Sequence, residues 1–210
     1  VLGIGGVDGG AVQTLGGAEL QRALAPAQID GADLRLHGAG DELHDAVEAL
    51  AVHAPPPGRM RLIPGLKHTL IVDDSYNSSP TAAERALLAL KELRGGRRKI
   101  AVLGDMLELG QYSTAEHEKI GALAVSCCDV LVTVGVRARK IATGALAHGM
   151  SEKAIFQYDS IDRAANELQT MLQRDDIILV KGSQGIRGEK LVYELMAEPD
   201  TAPQLLVRQD

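Results

Sequence analysis

The sequence predicts an α/β protein: a Rossmann-like, mainly parallel sheet with helices on both faces, preceded by a partial or irregular N-terminal segment. Three observations carry this. Short apolar runs at residues 69–72, 99–103, 130–134 and 177–180 alternate with segments whose apolar residues recur at helical spacing. Each run ends in a polar, glycine-bearing loop, as strands of an open parallel sheet do. The composition, 45% hydrophobic and 24% charged over 210 residues, excludes a disordered tail, a collagen-like repeat and a disulfide-stapled miniprotein.

In chain order, seven glycines fall between Gly3 and Gly17, and residues 18–25 hold a short helical pattern. Leu43, Val47 and Leu50 share one face of a helix that must stop before Pro55-Pro56-Pro57, because proline lacks the N–H a helix needs. That run and Gly58 mark a boundary between residues 1–56 and a second domain, 57–210. After the first strand, Ser79 and Pro80 read as N-cap and first helical residue, Ala83, Leu87, Leu90 and Leu93 as the buried stripe, and Gly95 as the C-cap. Ser113 and Glu116 have capping-box spacing ahead of Ile120, Leu123 and Ala124. Ile161, Ala164, Ala165, Leu168 and Leu172 make another helical stripe, and a last helix is expected over residues 188–196.

With 22 basic against 28 acidic residues, the formal charge of −6 argues against a surface that neutralises nucleic-acid phosphates or lies on anionic lipid. No Trp, one Phe and four Tyr leave little to stack on bases. No apolar run approaches the ~18 residues of a membrane span, and the start lacks the basic region of a signal peptide. Cys127 and Cys128 are adjacent, which suits neither a disulfide framework nor a CxxC site; they read as small buried hydrophobes in a reducing, cytoplasmic compartment. The absence of an initiator Met suggests a piece of a longer polypeptide.

Ligands of an open parallel sheet bind beyond the carboxyl ends of its strands. The loops there are Asp73-Asp74-Ser75-Tyr76-Asn77-Ser78-Ser79-Pro80, Gly104-Asp105-Met106-Leu107-Glu108-Leu109-Gly110, Gly135-Val136-Arg137 and Lys181-Gly182-Ser183-Gln184-Gly185-Ile186-Arg187. The first supplies carboxylates able to accept from ribose hydroxyls and an amide able to read a base edge. The last supplies an ammonium, a hydroxyl and glycine-exposed N–H groups at a helix start, a seat for a carboxylate or phosphate. The same residue types also serve as ordinary turns and caps. There is no G-x-x-x-x-G-K-[ST] loop, and the glycines at the start have neither the lysine nor the spacing, so a triphosphate would have to be held mostly elsewhere.

The string from Asp73 to Pro80, preceded by Pro57-Gly58-Arg59-Met60 and followed by Val102 to Gly110 and Val180-Lys181-Gly182-Ser183, resembles the C-terminal domain of the Mur ligase family. The resemblance implies a closing domain with a Rossmann-like fold, residues 41–53 being the last helix of a central ATPase domain. It implies an ATP-dependent amide ligase of peptidoglycan precursor synthesis that joins D-alanyl-D-alanine to UDP-N-acetylmuramoyl-tripeptide. ATP and Mg2+ would be held mainly by the upstream ATPase domain, and the 210 residues alone would be inactive. By position, Arg59 matches a hinge arginine near the ATP phosphates and Asp74 the acidic residue at the nucleotide ribose. Tyr76 and Asn77 would lie beside the nucleoside, and Lys181, Ser183 and Gln184 in the loop facing the incoming dipeptide. Gln184 stands where the family most often has Arg, and Gly188 where it has a bulkier residue. Another amino-acid ligase of the superfamily, and a non-catalytic binding module of the same fold, are the alternative readings.

Other features are assigned structural roles. Asp105 and Glu108 lack a third ligand and read as caps rather than a metal pair. His117 reads as structural, one turn from Ser113, with a general base as the rival role. Lys91, Arg94, Arg97, Arg98 and Lys99 read as a solvated edge at a helix C-terminus.

Overall fold

The computed structural model describes residues 55–207, so the helices expected within residues 18–25 and 41–53 lie outside the described residues. Six strands form one sheet in the order β1-β2-β6-β3-β4-β5, with β1 at Arg61–Pro64, β2 at Leu70–Asp74, β3 at Lys99–Gly104, β4 at Val130–Val134, β5 at Ile155–Tyr158 and β6 at Ile177–Lys181. Every pairing is parallel except β1 with β2. The crossovers are α1 (Pro80–Glu92), α2 (Ser113–Ala124), α3 (Arg139–Ala147) and α4 (Ile161–Met171); α5 (Gly188–Leu195) and a single turn, α6 (Ala202–Leu205), follow β6.

Side-chain alternation along the central strands divides the interior into two cores. Ile71, Ile100, Val132 and Ile178 pack with Leu168, Leu191 and Leu195 of α4 and α5. Val72, Ala101, Leu131 and Leu179 pack with Leu87, Ile120 and Ile141 of α1, α2 and α3. β3, β4 and β6 are buried on both faces, which is why they read in the sequence as continuous apolar runs. The expected stripe Ala83, Leu87, Leu90 and Leu93 is buried throughout.

The local signals were met unevenly. Ser79 caps α1, its Oγ accepting from the Ala82 N–H at 3.3 Å, with Pro80 at the first helical position. The helix ends at Glu92, however, and Leu93 is extended, so Gly95 at φ +89° turns the chain beyond the helix instead of capping it. The capping box at Ser113 does not form: a 3-10 turn, Gly110–Tyr112, runs straight into α2 and makes Ser113 its first residue. Glu116 pairs with Lys119 instead, at 2.6 Å. Arg98 is not part of a solvated edge. Its guanidinium makes a two-pronged bond to the buried Asp176, at 3.0 and 2.7 Å, and donates to the Met171 carbonyl. Two edge strands, β1 and β5, and helix α3 have no counterpart in the sequence reading; β1 ends in a proline that only an edge tolerates.

α2 and α3 are pressed together through Gly121 and Gly144. A Cβ on Gly144 would stand 2.1 Å from the Glu118 carbonyl oxygen, and one on Gly121 2.0 Å from that of Ile141. Gly144→Ala must force the two helices apart. An overpacking cost of about 1–3 kcal/mol exceeds the ~1 kcal/mol that alanine gains as a helix former, so the guanidinium unfolding midpoint of the variant is expected to fall.

Candidate functional site

The carboxyl ends of β2, β6, β3 and β4 lie side by side on one rim, so the four polar loops converge as the strand pattern implied. β6 decides how they diverge. Its loop leads to α5 on one face, while the loops of its neighbours β2 and β3 lead to α1 and α2 on the other. A crevice therefore opens between the β2 and β6 loops, whose chains leave toward opposite faces, at a point where strand order switches.

The crevice between the β2 and β6 loops is a cleft of about 230 Å³ lined by Gly58, Arg59, Asp74, Tyr76, Asn77, Ser78 and Lys181, among others. Arg59, Tyr76 and Asn77 are exposed on it. The Arg59 guanidinium carbon sits 4.5 Å from the Tyr76 ring centroid, a cation–π stack that presents a flat, cationic surface. Gly58 places it: the Tyr76 N–H donates to the Gly58 carbonyl at 3.0 Å, and Gly58 has φ +70° with its Cβ position 3.1 Å from the Tyr76 Cβ. Asp74 is half-buried. Its Oδ1 accepts from the Met60 N–H at 3.2 Å and its Oδ2 from the Lys181 ammonium at 2.6 Å. Burial pushes the Asp74 carboxyl up, and the Lys181 charge and hydrogen bond pull it back.

Lys181 was expected to face an incoming dipeptide with Ser183 and Gln184, and the structure separates the three. The Lys181 side chain is 2% exposed, and its ammonium donates to Asp74 and to the Asn77 carbonyl, on the β2 side of the loop. Ser183 is on the β3 side: its N–H donates to the Asp105 carbonyl at 2.9 Å, and its Oγ accepts from the Leu107 N–H at 2.8 Å. Gln184 opens an exposed 3-10 turn beyond them. A Cβ on Gly104 would meet Ile186 at 2.8 Å and the Gly182 Cα at 3.3 Å, so only glycine lets the β3 and β6 ends approach this closely.

His117 is fully buried with both ring nitrogens engaged. Nδ1 lies 2.6 Å from the Ser113 carbonyl and must donate to it, which leaves Nε2 to accept the Met106 N–H at 3.0 Å. A ring tied on both sides holds the β3 loop and has no lone pair for a substrate proton. Asp105 likewise has structural bonds, its Oδ1 accepting from the Ala138 N–H at 2.7 Å ahead of α3, with Arg137 at 3.7 Å from Oδ2. Glu108 is exposed, and no group of three His, Cys, Asp or Glu able to hold a metal exists among the described residues. Cys127 and Cys128 are buried, and burial pushes the Cys128 thiol up to about 12, which leaves it un-ionised. A larger hollow, about 650 Å³, lies beside α4, α5 and α6 and includes none of the expected site residues. Asp73, the other carboxylate of the first loop, is not available to a ligand surface: fully buried, it accepts from the Ser75 N–H through Oδ1, while Oδ2 has no partner among the described residues.

Comparison with known proteins identifies the family. The family described as "Mur ligase, glutamate ligase domain" matches residues 58–184. The UDP-N-acetylmuramoyl-tripeptide–D-alanyl-D-alanine ligase of Bacillus subtilis is 31% identical over 156 residues, covering 74% of this chain and 34% of the relative. That of Escherichia coli is 35% identical over 153 residues, covering 72% and 32%. Among solved structures, the MurF ligase of Thermotoga maritima in complex with ADP superposes with a TM-score of 0.58 at 28% identity, covering 70% of this chain and 32% of that one. The chain thus spans about a third of the length of the relatives it matches. Among the described residues no helix is long and apolar enough to cross a membrane.

Asp73 has a measurable consequence. Burial raises its carboxyl above the ordinary range, with Asp74 adding to the shift and hydrogen bonds from Ser75 opposing it. A carboxyl raised on folding contributes stability below its ordinary range that is lost as pH rises through the raised value, so at neutral pH the ionised group costs stability. Asp73→Asn is therefore expected to raise the melting temperature at neutral pH by about 2–4 °C, the shift ~1 kcal/mol makes in a domain of this size, and the gain should vanish as the buffer is acidified into the carboxylate range.

Proposed function

Since the chain belongs to the Mur ligase family through its glutamate ligase domain, we propose that residues 57–210 are the closing domain of an ATP-dependent ligase that adds D-alanyl-D-alanine to UDP-N-acetylmuramoyl-tripeptide, in the cytoplasmic stage of peptidoglycan synthesis. The observation that carries this reading is the cleft at the end of β2, where a stacked Arg59–Tyr76 pair, the Asp74 carboxylate and Asn77 come together beside the N-terminus of α1. In this reading residues 1–56 are the remnant of the central ATPase domain, and ATP converts the carboxylate of the tripeptide to an acyl phosphate that the amine of the dipeptide attacks.

The cleft suits a nucleoside. A carboxylate offers about four lone-pair positions, and Met60 and Lys181 occupy two, which leaves Asp74 able to accept from two ribose hydroxyls. The Arg59–Tyr76 surface provides a face for the base, and Arg59 a positive charge near the phosphates. Asn77 borders the same cleft and adds an amide. On the other side of the β6 loop, Ser183 is bonded to residues 105 and 107 with Gln184 exposed beyond it, and we assign that side to the dipeptide. Bringing two reactants together and excluding water is most of what such a domain contributes to catalysis. The described residues contain no set of metal ligands, so this reading leaves Mg2+ to the upstream ATPase domain along with the triphosphate.

Two measurements test the proposal. The purified 210 residues are expected to hydrolyse no ATP, because no phosphate-binding lysine loop is present in them; hydrolysis abolished by Asp74→Ala would refute this. In the ligase polypeptide that carries the domain, Arg59→Ala and Asp74→Ala should each raise the KM for ATP about tenfold or more, the loss of one to two polar or cation–π contacts, while the fold stays cooperative. Wild-type turnover in both variants would remove the nucleotide assignment.

A further inference from the structure

We infer that Lys181 is a positioning residue of the nucleotide cleft: it touches neither substrate, and its buried ammonium clamps the Asp74 carboxylate and the Asn77 carbonyl so that both stand ready for the nucleoside. The inference rests on the nucleotide reading above and assigns within it a role for a lysine otherwise expected at the dipeptide.

Three geometric facts carry it. Lys181 and Asp74 are direct partners across the parallel β2–β6 pair, so the ammonium spans adjacent strand ends without leaving the sheet's rim. Its side chain is 2% exposed, so although it borders the cleft, almost all of its surface is taken up by protein. Two bonds, at 2.6 Å to Asp74 Oδ2 and 2.9 Å to the Asn77 carbonyl, tie one cation to both the strand end and the loop that leads into α1. A single side chain thereby sets the spacing between the two groups that would meet the nucleoside.

The charge balance gives the clamp a second effect. Asp74 faces Lys181 from β6, Arg59 from the segment ahead of β1 and Asp73 from its own strand; α1 brings no acidic residue in its first turn. Burial favours the neutral carboxyl, Asp73 is a like-charged neighbour, and Arg59 is exposed, so Lys181 is the chief group that keeps Asp74 ionised. Without it, the Asp74 carboxyl shifts further toward its protonated form, in which one of its acceptor oxygens becomes a donor.

The test uses the intact ligase polypeptide, with ADP binding measured by calorimetry and steady-state KM values for ATP and for D-alanyl-D-alanine. Lys181→Met should weaken ADP binding and raise the KM for ATP about tenfold, with the KM for the dipeptide within about twofold of wild type. The defect should shrink as the pH is raised, because higher pH favours the ionised Asp74 carboxylate that the lysine no longer supports. Removing one partner of a buried pair can unfold a domain, whereas neutralising both is far milder. The double variant Lys181→Met, Asp74→Asn is therefore measured alongside, and it should match Asp74→Asn alone in ATP KM, show no recovery with pH and keep the dipeptide KM. A selective rise in dipeptide KM in either Lys181 variant, or a Lys181→Met defect that ignores pH, overturns the inference while leaving the nucleotide reading intact. A wild-type ligase that binds no ADP overturns both.

Discussion

The position of β6 between β2 and β3 is the constraint on which the rest of this structure depends. A strand inserted last, between two that were laid down first, must be buried on both faces, and every residue from Ile177 to Lys181 is. Its chain then leaves toward the opposite face from its neighbours, which opens the cleft between the β2 and β6 loops. The same insertion brings the end of β6 against the ends of β2 and β3, where Lys181 meets Asp74 on one side and Gly182 meets Gly104 on the other. A bulkier residue at Gly104 or an uncharged one at Lys181 would disturb a site that lies beyond either residue's own surface.

Most of the polar side chains at this rim are used to hold backbone. His117, Ser183 and Asp105 satisfy N–H groups of Met106, Leu107 and Ala138, in a region where an unpaired buried N–H costs free energy comparable to a lost hydrogen bond. On the exposed side, Arg59, Tyr76, Asn77 and Gln184 remain accessible, Asn77 also accepting from the Ser78 N–H, with the half-buried Asp74 between the first three. Such a surface can bind and orient a ligand.

Much of this was legible in the sequence because the central strands are doubly buried and the loops that follow them are not. Apolar runs of β-branched residues mark β2, β3, β4 and β6 to within two residues at each end, and Ser79-Pro80 marks the start of α1. The edge strands β1 and β5 escaped, since a strand that is half-covered and ends in proline or carries a polar residue has no such run. Short-range signals misled where tertiary contacts outweighed them: Ser113 has the spacing of a capping box, yet the preceding 3-10 turn absorbs it into the helix. Arg98, one of five basic residues in a short stretch, found the buried Asp176, nearly eighty positions away, which no local pattern could reveal.

By itself the sequence determined the parallel sheet with helices on both faces, the rim at which its polar loops meet, and the motifs from Gly58 to Ser183 that tie it to the Mur ligases. These follow from periodicity and local residue type, which the chain carries along its length. Only the tertiary structure decided which side of the β6 loop each side chain serves. Lys181 and Ser183 are two residues apart, yet the first meets Asp74 at the end of β2 and the second ties down the β3 loop, because Lys181 is the last residue of β6 and the chain beyond it runs against β3 where Gly182 meets Gly104. That choice is made by strand order, and strand order is a property of the folded sheet.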